Sequence, residues 1–184
     1  MGMTTSGPPR VRVAQVADTE QIARLLRAFN AEYDEPAPEQ GWLADRVALL
    51  LGQGATAVLL VEASTTWDDT ARDDVARDDA AGFALARFRP SLWDDADECY
   101  LAELYIRPEL RGRGLGRILL TATMEHASRR GATYMDLTTT NADVAAVALY
   151  ESVGFDRHER RGPGTDSYYF EIDLPGPDHR AGDA

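Results

Sequence analysis

The chain has 184 residues, a formal net charge of −12, 44% hydrophobic and 27% charged residues, which is enough for one domain with its own core and an ordinary globular composition. Its acidity disfavours nucleic acid and anionic membrane as partners and, weakly, favours a cationic one. No apolar run approaches the roughly 20 residues that span a bilayer, Met1–Arg10 carries no signal pattern, and Cys99 is the single cysteine, so a cytoplasmic protein without internal disulfides is expected.

In chain order, residues 1–10 read as a flexible segment and the alternation of Val11–Val16 as a strand. Asp18 is the expected N-cap of a helix whose Ile22, Leu25, Leu26 and Phe29 form one buried stripe. Pro36 and Pro38 break that helix, and a second runs from Trp42 to Leu51, ended by Gly52 and Gly54. Thr56–Glu62 is β-branched and apolar, hence a strand. The stretch 64–80 holds the near-repeats Ala71-Arg72-Asp73-Asp74 and Ala76-Arg77-Asp78-Asp79 and reads as a solvated acidic loop, with a lid or cation-collecting rim as the alternative.

Gly82–Arg89 and Glu98–Ile106 are the next strands, the second carrying Cys99 as a small apolar residue. A helix from near Gly114 to Gly131, a strand Tyr134–Thr139 and a helix Val144–Val153 closed by Gly154 follow. Two final strands, Phe155–Arg161 and Tyr168–Leu174, flank Gly162-Pro163-Gly164, and residues 175–184 read as a flexible tail. The order β-α-α-β-β-β-α-β-α-β-β describes one α/β domain over residues 11–174.

The sharpest chemical signal is Arg107-Pro108-Glu109-Leu110-Arg111-Gly112-Arg113-Gly114-Leu115-Gly116-Arg117, between a predicted strand and a predicted helix. Alternating glycines let a ligand approach the main chain, and they open a helix whose free N–H groups and dipole attract an anion. Four arginines reverse the sign of an otherwise acidic chain here. The segment departs from a Rossmann fingerprint, with Arg117 where the third glycine would fall, and from a P-loop, lacking G-K-[ST].

R-G-x-G-x-G after a strand resembles the acetyl-CoA-binding motif of the GNAT superfamily of N-acetyltransferases. Asp143-Val144-Ala145-Ala146-Val147-Ala148-Leu149-Tyr150-Glu151-Ser152-Val153-Gly154-Phe155 is similar to that family's later helix, N-x-x-A-x-x-L-Y-E-x-x-G-F, with Asp143 in place of the asparagine. The resemblance covers Glu98 to Phe155. It implies a mixed sheet of about seven strands with about four helices, splayed between the fourth and fifth strands. Acetyl-CoA would lie in that opening, its pantetheine arm along Leu104, Tyr105 and Ile106 and its pyrophosphate on Arg111, Gly112, Arg113, Gly114, Leu115, Gly116 and Arg117. Either Asn141 or Asp143 would cap the later helix, and one of them would touch the cofactor. The resemblance implies no metal, and His126, His158 and His179 have no metal-ligand spacing.

Acetyl transfer to an amine needs a base for the ammonium proton, a donor for the oxyanion and a proton for the departing thiolate. The resemblance assigns the acid to Tyr150 and the oxyanion donor to the Ile106 N–H. Glu103 is the candidate base or amine anchor, or else a solvent-facing strand carboxylate: the polyamine acetyltransferases carry two adjacent acids there, and Ala102 replaces the first. Asn30, Glu32, Tyr33, Asp34 and Glu35 end the first helix with three acids. They offer a cationic acceptor a site, Tyr33 and Asp34 foremost, with Trp42 or Trp93 to pack on it. A small amine is the expected acceptor; a protein lysine or N-terminus, and a non-catalytic acyl-CoA-binding module, are the alternatives. Many relatives are homodimers, but no dimer surface is marked in the sequence.

Overall fold

The structure, a computed structural model, describes residues 9–62 and 80–157. Strands β1 (Val11–Val13), β2 (Thr56–Glu62), β3 (Ala80–Pro90), β4 (Asp97–Ile106) and β5 (Ala132–Leu137) form one sheet in sequential order. The first four pair antiparallel and β4 pairs parallel with β5. Five strands stand among the described residues where about seven are expected. The last two expected strands lie outside those residues, apart from 155–157, which are not strand. The acidic stretch 64–79 and the tail from 175 are likewise outside the described residues.

Two helix layers cover the sheet. On one face α1 (Thr19–Glu32) and α2 (Gln40–Gly52) pack through Ile22, Leu25 and Val47 onto Val58, Leu60, Phe83, Leu85 and Tyr105. On the other, α3 (Leu115–Arg129) buries Leu115, Leu119 and Leu120 against Leu59, Val61, Ala84, Leu101 and Ile106. Because neighbouring strand residues face opposite sides, β2 reads as a continuous buried run, apolar on both faces. Helix α4 (Val144–Ser152) lies on the α3 side, where Leu149 and Tyr150 pack onto the same core. Among the described residues no helix is long and apolar enough to cross a membrane.

Two expectations change in detail, and that of Cys99 as a small apolar strand residue holds. The first strand stops at Val13, and a 3-10 turn (Val16–Asp18) precedes α1. Asp18 occupies the N-cap of α1 but makes no capping bond. Its carboxylate takes two hydrogen bonds from Arg12, at 2.7 and 2.8 Å, and one from the Gln15 N–H. The stronger charged partner wins the side chain. Cys99 is fully buried within β4, and burial pushes its thiol up to about 11, which makes it a packing residue and a poor nucleophile.

Candidate active site at the divergence of two strands

The pairing of β4 with β5 runs from Asp97–Ala132 to Leu101–Leu137 and stops there. From Ala102 to Ile106, β4 keeps β3 on one side and has no strand on the other among the described residues. A bulge sits at the point of divergence: Leu85 faces Glu103 and Ala86 faces Leu101, leaving Ala102 as the extra residue. Bulges bend and twist a strand locally, and this one sits where β4 loses its pairing with β5.

The direction of the β4 main chain follows from alternation. The Arg107 N–H donates to the Ala81 carbonyl, toward β3. The N–H and C=O groups of Ile106 and Leu104 therefore face the open edge, while those of Tyr105 face β3. The Ile106 N–H expected to serve the oxyanion is thus on the open side. Tyr105 offers that edge no main-chain group, and its ring lies on the α1 face, 5.7 Å from Phe29. Gly82 permits the close approach of β3 to β4, because a Cβ there would overlap the Tyr105 carbonyl oxygen.

The glycine-rich segment meets the open edge at the start of α3. Gly112 and Gly114 have φ of +73° and +80°, a region costly for residues with a Cβ. Gly114 is the N-cap of α3 and supplies no side-chain bond, so the first-turn N–H groups stay available to an anion. Gly116 serves contact instead: a Cβ would lie 3.3 Å from Leu149 of α4. Leu115 is buried and anchors the segment to the core.

The arginines of the segment divide. Arg113 and Arg117 are exposed, donating at 3.3 Å to the Glu109 carbonyl and at 3.4 Å to the Ser152 carbonyl. Arg111 turns toward α1. Its two terminal nitrogens bind the two Glu32 oxygens at 2.6 Å each, and its Nε donates to the Ile106 carbonyl at 2.9 Å. Glu32 is therefore committed to a cation of the protein and is not free to hold a substrate ammonium.

Tyr150 of α4 packs onto the core on the α3 side, and its placement follows from the end of that helix. Gly154 has φ of +98°, its N–H donates to the Glu151 carbonyl, and the Phe155 N–H donates to the Tyr150 carbonyl, both at 3.1 Å. This is a Schellman cap, which commonly adds an apolar contact between the residues at its ends. Here that contact is Tyr150 against Phe155, ring centroids 5.9 Å apart. Burial, with the charges of Asp143, Glu103 and Tyr33, pushes the Tyr150 phenol up to about 12, so it carries its proton at neutral pH.

Glu103 shares the α1 face of β4 with Tyr105 and is half-buried. Burial raises its pKa; Arg87 opposes the rise and Glu35 adds to it. Among the described residues it has no hydrogen-bond or ion-pair partner, which distinguishes it from Glu32. Asp143 is the N-cap of α4, accepting the Ala146 N–H at 2.9 Å, while Asn141 lies exposed in the turn before it.

Tyr33 is 54% exposed and feels the charges of Asp143, Glu32 and Arg111. Asp34 adopts φ of +55°, the left-handed turn that ends α1 and that Asp tolerates better than most residues. Trp42 and Trp93 are both exposed. Tyr150 thus lies within electrostatic reach of Asp143, Glu103 and Tyr33, and Tyr33 within reach of Asp143. The Arg111–Glu32 pair was not legible in the sequence, its members lying 79 residues apart.

A cavity of about 470 Å³ lies elsewhere, between the start of β2, the end of α2 and the end of α3, lined by residues including Gln15, Thr56, His126 and Arg130. It contains none of the groups at the strand divergence, and the convergence of polar groups there outweighs the size of this cleft. Among the described residues no group of three or more His, Cys, Asp or Glu is placed to hold a metal.

Known proteins share both sequence and shape. A mycothiol acetyltransferase of Gordonia bronchialis is 30% identical over 151 residues, which is 80% of this chain and 44% of that protein, so the chain spans under half of this relative. The N-acetyltransferase YjgM of Escherichia coli, itself uncharacterized, is 29% identical over 80% of this chain and 82% of its own. A Bos taurus thialysine N-epsilon-acetyltransferase is 27% identical over 78% and 82%. A crystal structure from Arthrobacter sp. FB24 superposes with a TM-score of 0.74 at 29% identity, covering 95% of this chain and 99% of that one. Residues 22–155 match the acetyltransferase (GNAT) family, and the chain belongs to that family.

Proposed function

We propose that the chain transfers an acetyl group from acetyl-CoA to a primary amine of a small, cationic acceptor, by direct attack within a ternary complex. The observation that carries this reading is the edge of β4 beyond Leu101, open among the described residues and followed by the glycine N-cap of α3, with a protonated Tyr150 within electrostatic reach of Glu103. The residues fit acetyl-CoA: Leu104 offers its main-chain N–H and C=O to the pantetheine amides and Ile106 its N–H, the Ile106 carbonyl being taken by Arg111 Nε, and the first turn of α3 offers N–H groups to the pyrophosphate. Arg113 and Arg117 add positive charge beside that turn.

In this reading Glu103, directly or through a water, takes the proton of the acceptor ammonium, and the freed nitrogen attacks the thioester carbonyl. The Ile106 N–H stabilises the negative charge that develops on the carbonyl oxygen. As the carbon–sulfur bond breaks, Tyr150 donates its proton to the departing sulfur, and the nitrogen loses its second proton to solvent, from which the phenol is reprotonated, leaving the neutral amide and the free thiol. Tyr33 and the α1 end form the acceptor wall. A thialysine acetyltransferase among the relatives favours a small amine.

Thiol release from acetyl-CoA, measured across polyamines, amino acids, aminoglycosides and basic peptides, tests the reading. Release that depends on a small amine is expected. Release with peptides alone would move the acceptor to a protein lysine or N-terminus. Acetyl-CoA binding without release under any acceptor would favour a binding module.

A further inference from the structure

Arg111 opens the glycine-rich motif, yet its side chain is spent within the protein, on the Ile106 carbonyl at the open edge and on Glu32 of α1. Its main-chain N–H donates to the Pro108 carbonyl, its Nε to the Ile106 carbonyl, and both terminal nitrogens to Glu32. Its guanidinium also lies over the Tyr105 ring, 5.8 Å from the centroid. Tyr105 packs edge-on against Phe29 at 5.7 Å, and Phe29 against Tyr33 at 5.3 Å. Phe29 and Tyr33 are four residues apart, so they stand on one face across the last turn of α1. Glu32, Phe29 and Tyr33 therefore reach Arg111 through an ion pair on one path and stacked rings on the other.

The last turn of α1 is held by Phe29 against the core and by bonds to its own loop, from Asn30 Nδ2 to the Pro36 carbonyl at 3.2 Å and from Arg27 to the Pro38 carbonyl, and the Arg111–Glu32 pair adds the polar tie to the glycine-rich segment. Helix α1 has no basic residue in its last turn, and its buried residues, Ile22, Ala23 and Leu25, all lie in its first half. Beyond Glu32 the chain turns through a left-handed Asp34, and residues 31–36 are exposed. A solvent-exposed ion pair is worth little by itself, but a two-point guanidinium–carboxylate pair fixes orientation. That fixation matters because the neighbouring side chain, Tyr33, packs on Phe29 of the same turn and lies within electrostatic reach of Asp143 and Tyr150.

We infer that Arg111 is a positioning residue for the acceptor wall, clamping the end of α1 to β4 through Glu32 so that Tyr33 stays beside the opening, while the pyrophosphate is held by the α3 N-terminus with Arg113 and Arg117. The inference rests on the acetyltransferase reading for what Tyr33 faces, but the clamp itself can be read without any substrate.

The test compares Arg111→Gln and Glu32→Gln with Arg113→Gln. Calorimetry with acetyl-CoA, hydrogen exchange of amides 30–35, and KM and kcat for the best amine of the panel are read on each. Arg111→Gln and Glu32→Gln are expected to leave the acetyl-CoA Kd within about twofold, to speed exchange of those amides about tenfold, and to raise the amine KM about tenfold with a smaller change in kcat. Arg111→Lys, which keeps the charge, recovers part of the KM. Arg113→Gln weakens acetyl-CoA and leaves amides 30–35 as they were. An acetyl-CoA loss in Arg111→Gln equal to that in Arg113→Gln would make Arg111 a phosphate ligand and overturn the inference, as would unchanged exchange at 30–35. Wild-type protein that binds no acetyl-CoA would instead sink the proposed function, with the exchange measurement still deciding the clamp.

Discussion

Glu103 and Glu32 are both glutamates beside the same strand, and their environments give them different chemistry. Glu32 has a two-point cation, whereas Glu103 is half-buried without an ion-pair partner among the described residues and has a raised pKa. A base must be ionised to act, so a raised pKa moves the acidic limb of kcat/KM above the ordinary glutamate range, and activity falls as pH drops through it. Glu103→Gln is expected to lower kcat/KM about tenfold or more and to remove that limb, leaving only the titration of the acceptor amine. Burial disfavours the charged form in the folded state, so the same substitution does not lower the melting temperature. A normal pH–rate profile in Glu103→Gln would exclude it as the base. The sequence placed Glu103 on the right strand but left its face open, because that depends on the bulge at Ala102, which propensity does not mark.

At the scale of elements, the two motifs were legible because each encodes a helix end. Gly112 and Gly114 adopt positive φ before α3, and Gly154 does so after α4. Local backbone geometry of this kind is written in glycine spacing. What the spacing does not carry is the partner of each side chain: Arg111 lies within the motif but binds Glu32 on α1, and Asp18 sits at an N-cap but binds Arg12. Those choices depend on contacts between elements distant in sequence. The Schellman cap explains why the Gly-Phe pair follows the helix, since it both ends α4 and packs Phe155 on Tyr150. Gly154→Ala forces a Cβ into φ of +98° and is expected to cost about 1 kcal/mol of stability, measured by urea unfolding. It should lower kcat more than it weakens acetyl-CoA. An unchanged midpoint and unchanged kcat would mean the cap does not position Tyr150.

Over the whole molecule, a net charge of −12 surrounds one basic segment. An anionic cosubstrate is therefore attracted locally and repelled at longer range. With the free N–H groups of the α3 N-terminus and two exposed arginines as its site, acetyl-CoA is expected to bind several-fold more weakly at about 0.5 M salt than at about 0.05 M. A salt-independent Kd would place binding on the apolar edge alone. Element order pointed to a single α/β domain and the family resemblance implied the mixed sheet flanked by helices, which the sheet of four antiparallel strands and one parallel strand bears out. The acceptor's identity was not legible, because the wall that meets it is built from exposed helix-end residues whose arrangement is set by tertiary contacts.

The central claim is that acetyl transfer takes place where β4 leaves β5, with Tyr150 as the acid. The most direct measurement is Tyr150→Phe, read as kcat by thiol release and as acetyl-CoA Kd by calorimetry on the same protein. The account predicts a fall in kcat of about tenfold or more, with the Kd little changed, because the phenol proton is needed only as the sulfur departs. Unchanged turnover would remove Tyr150 from the mechanism and contradict the account.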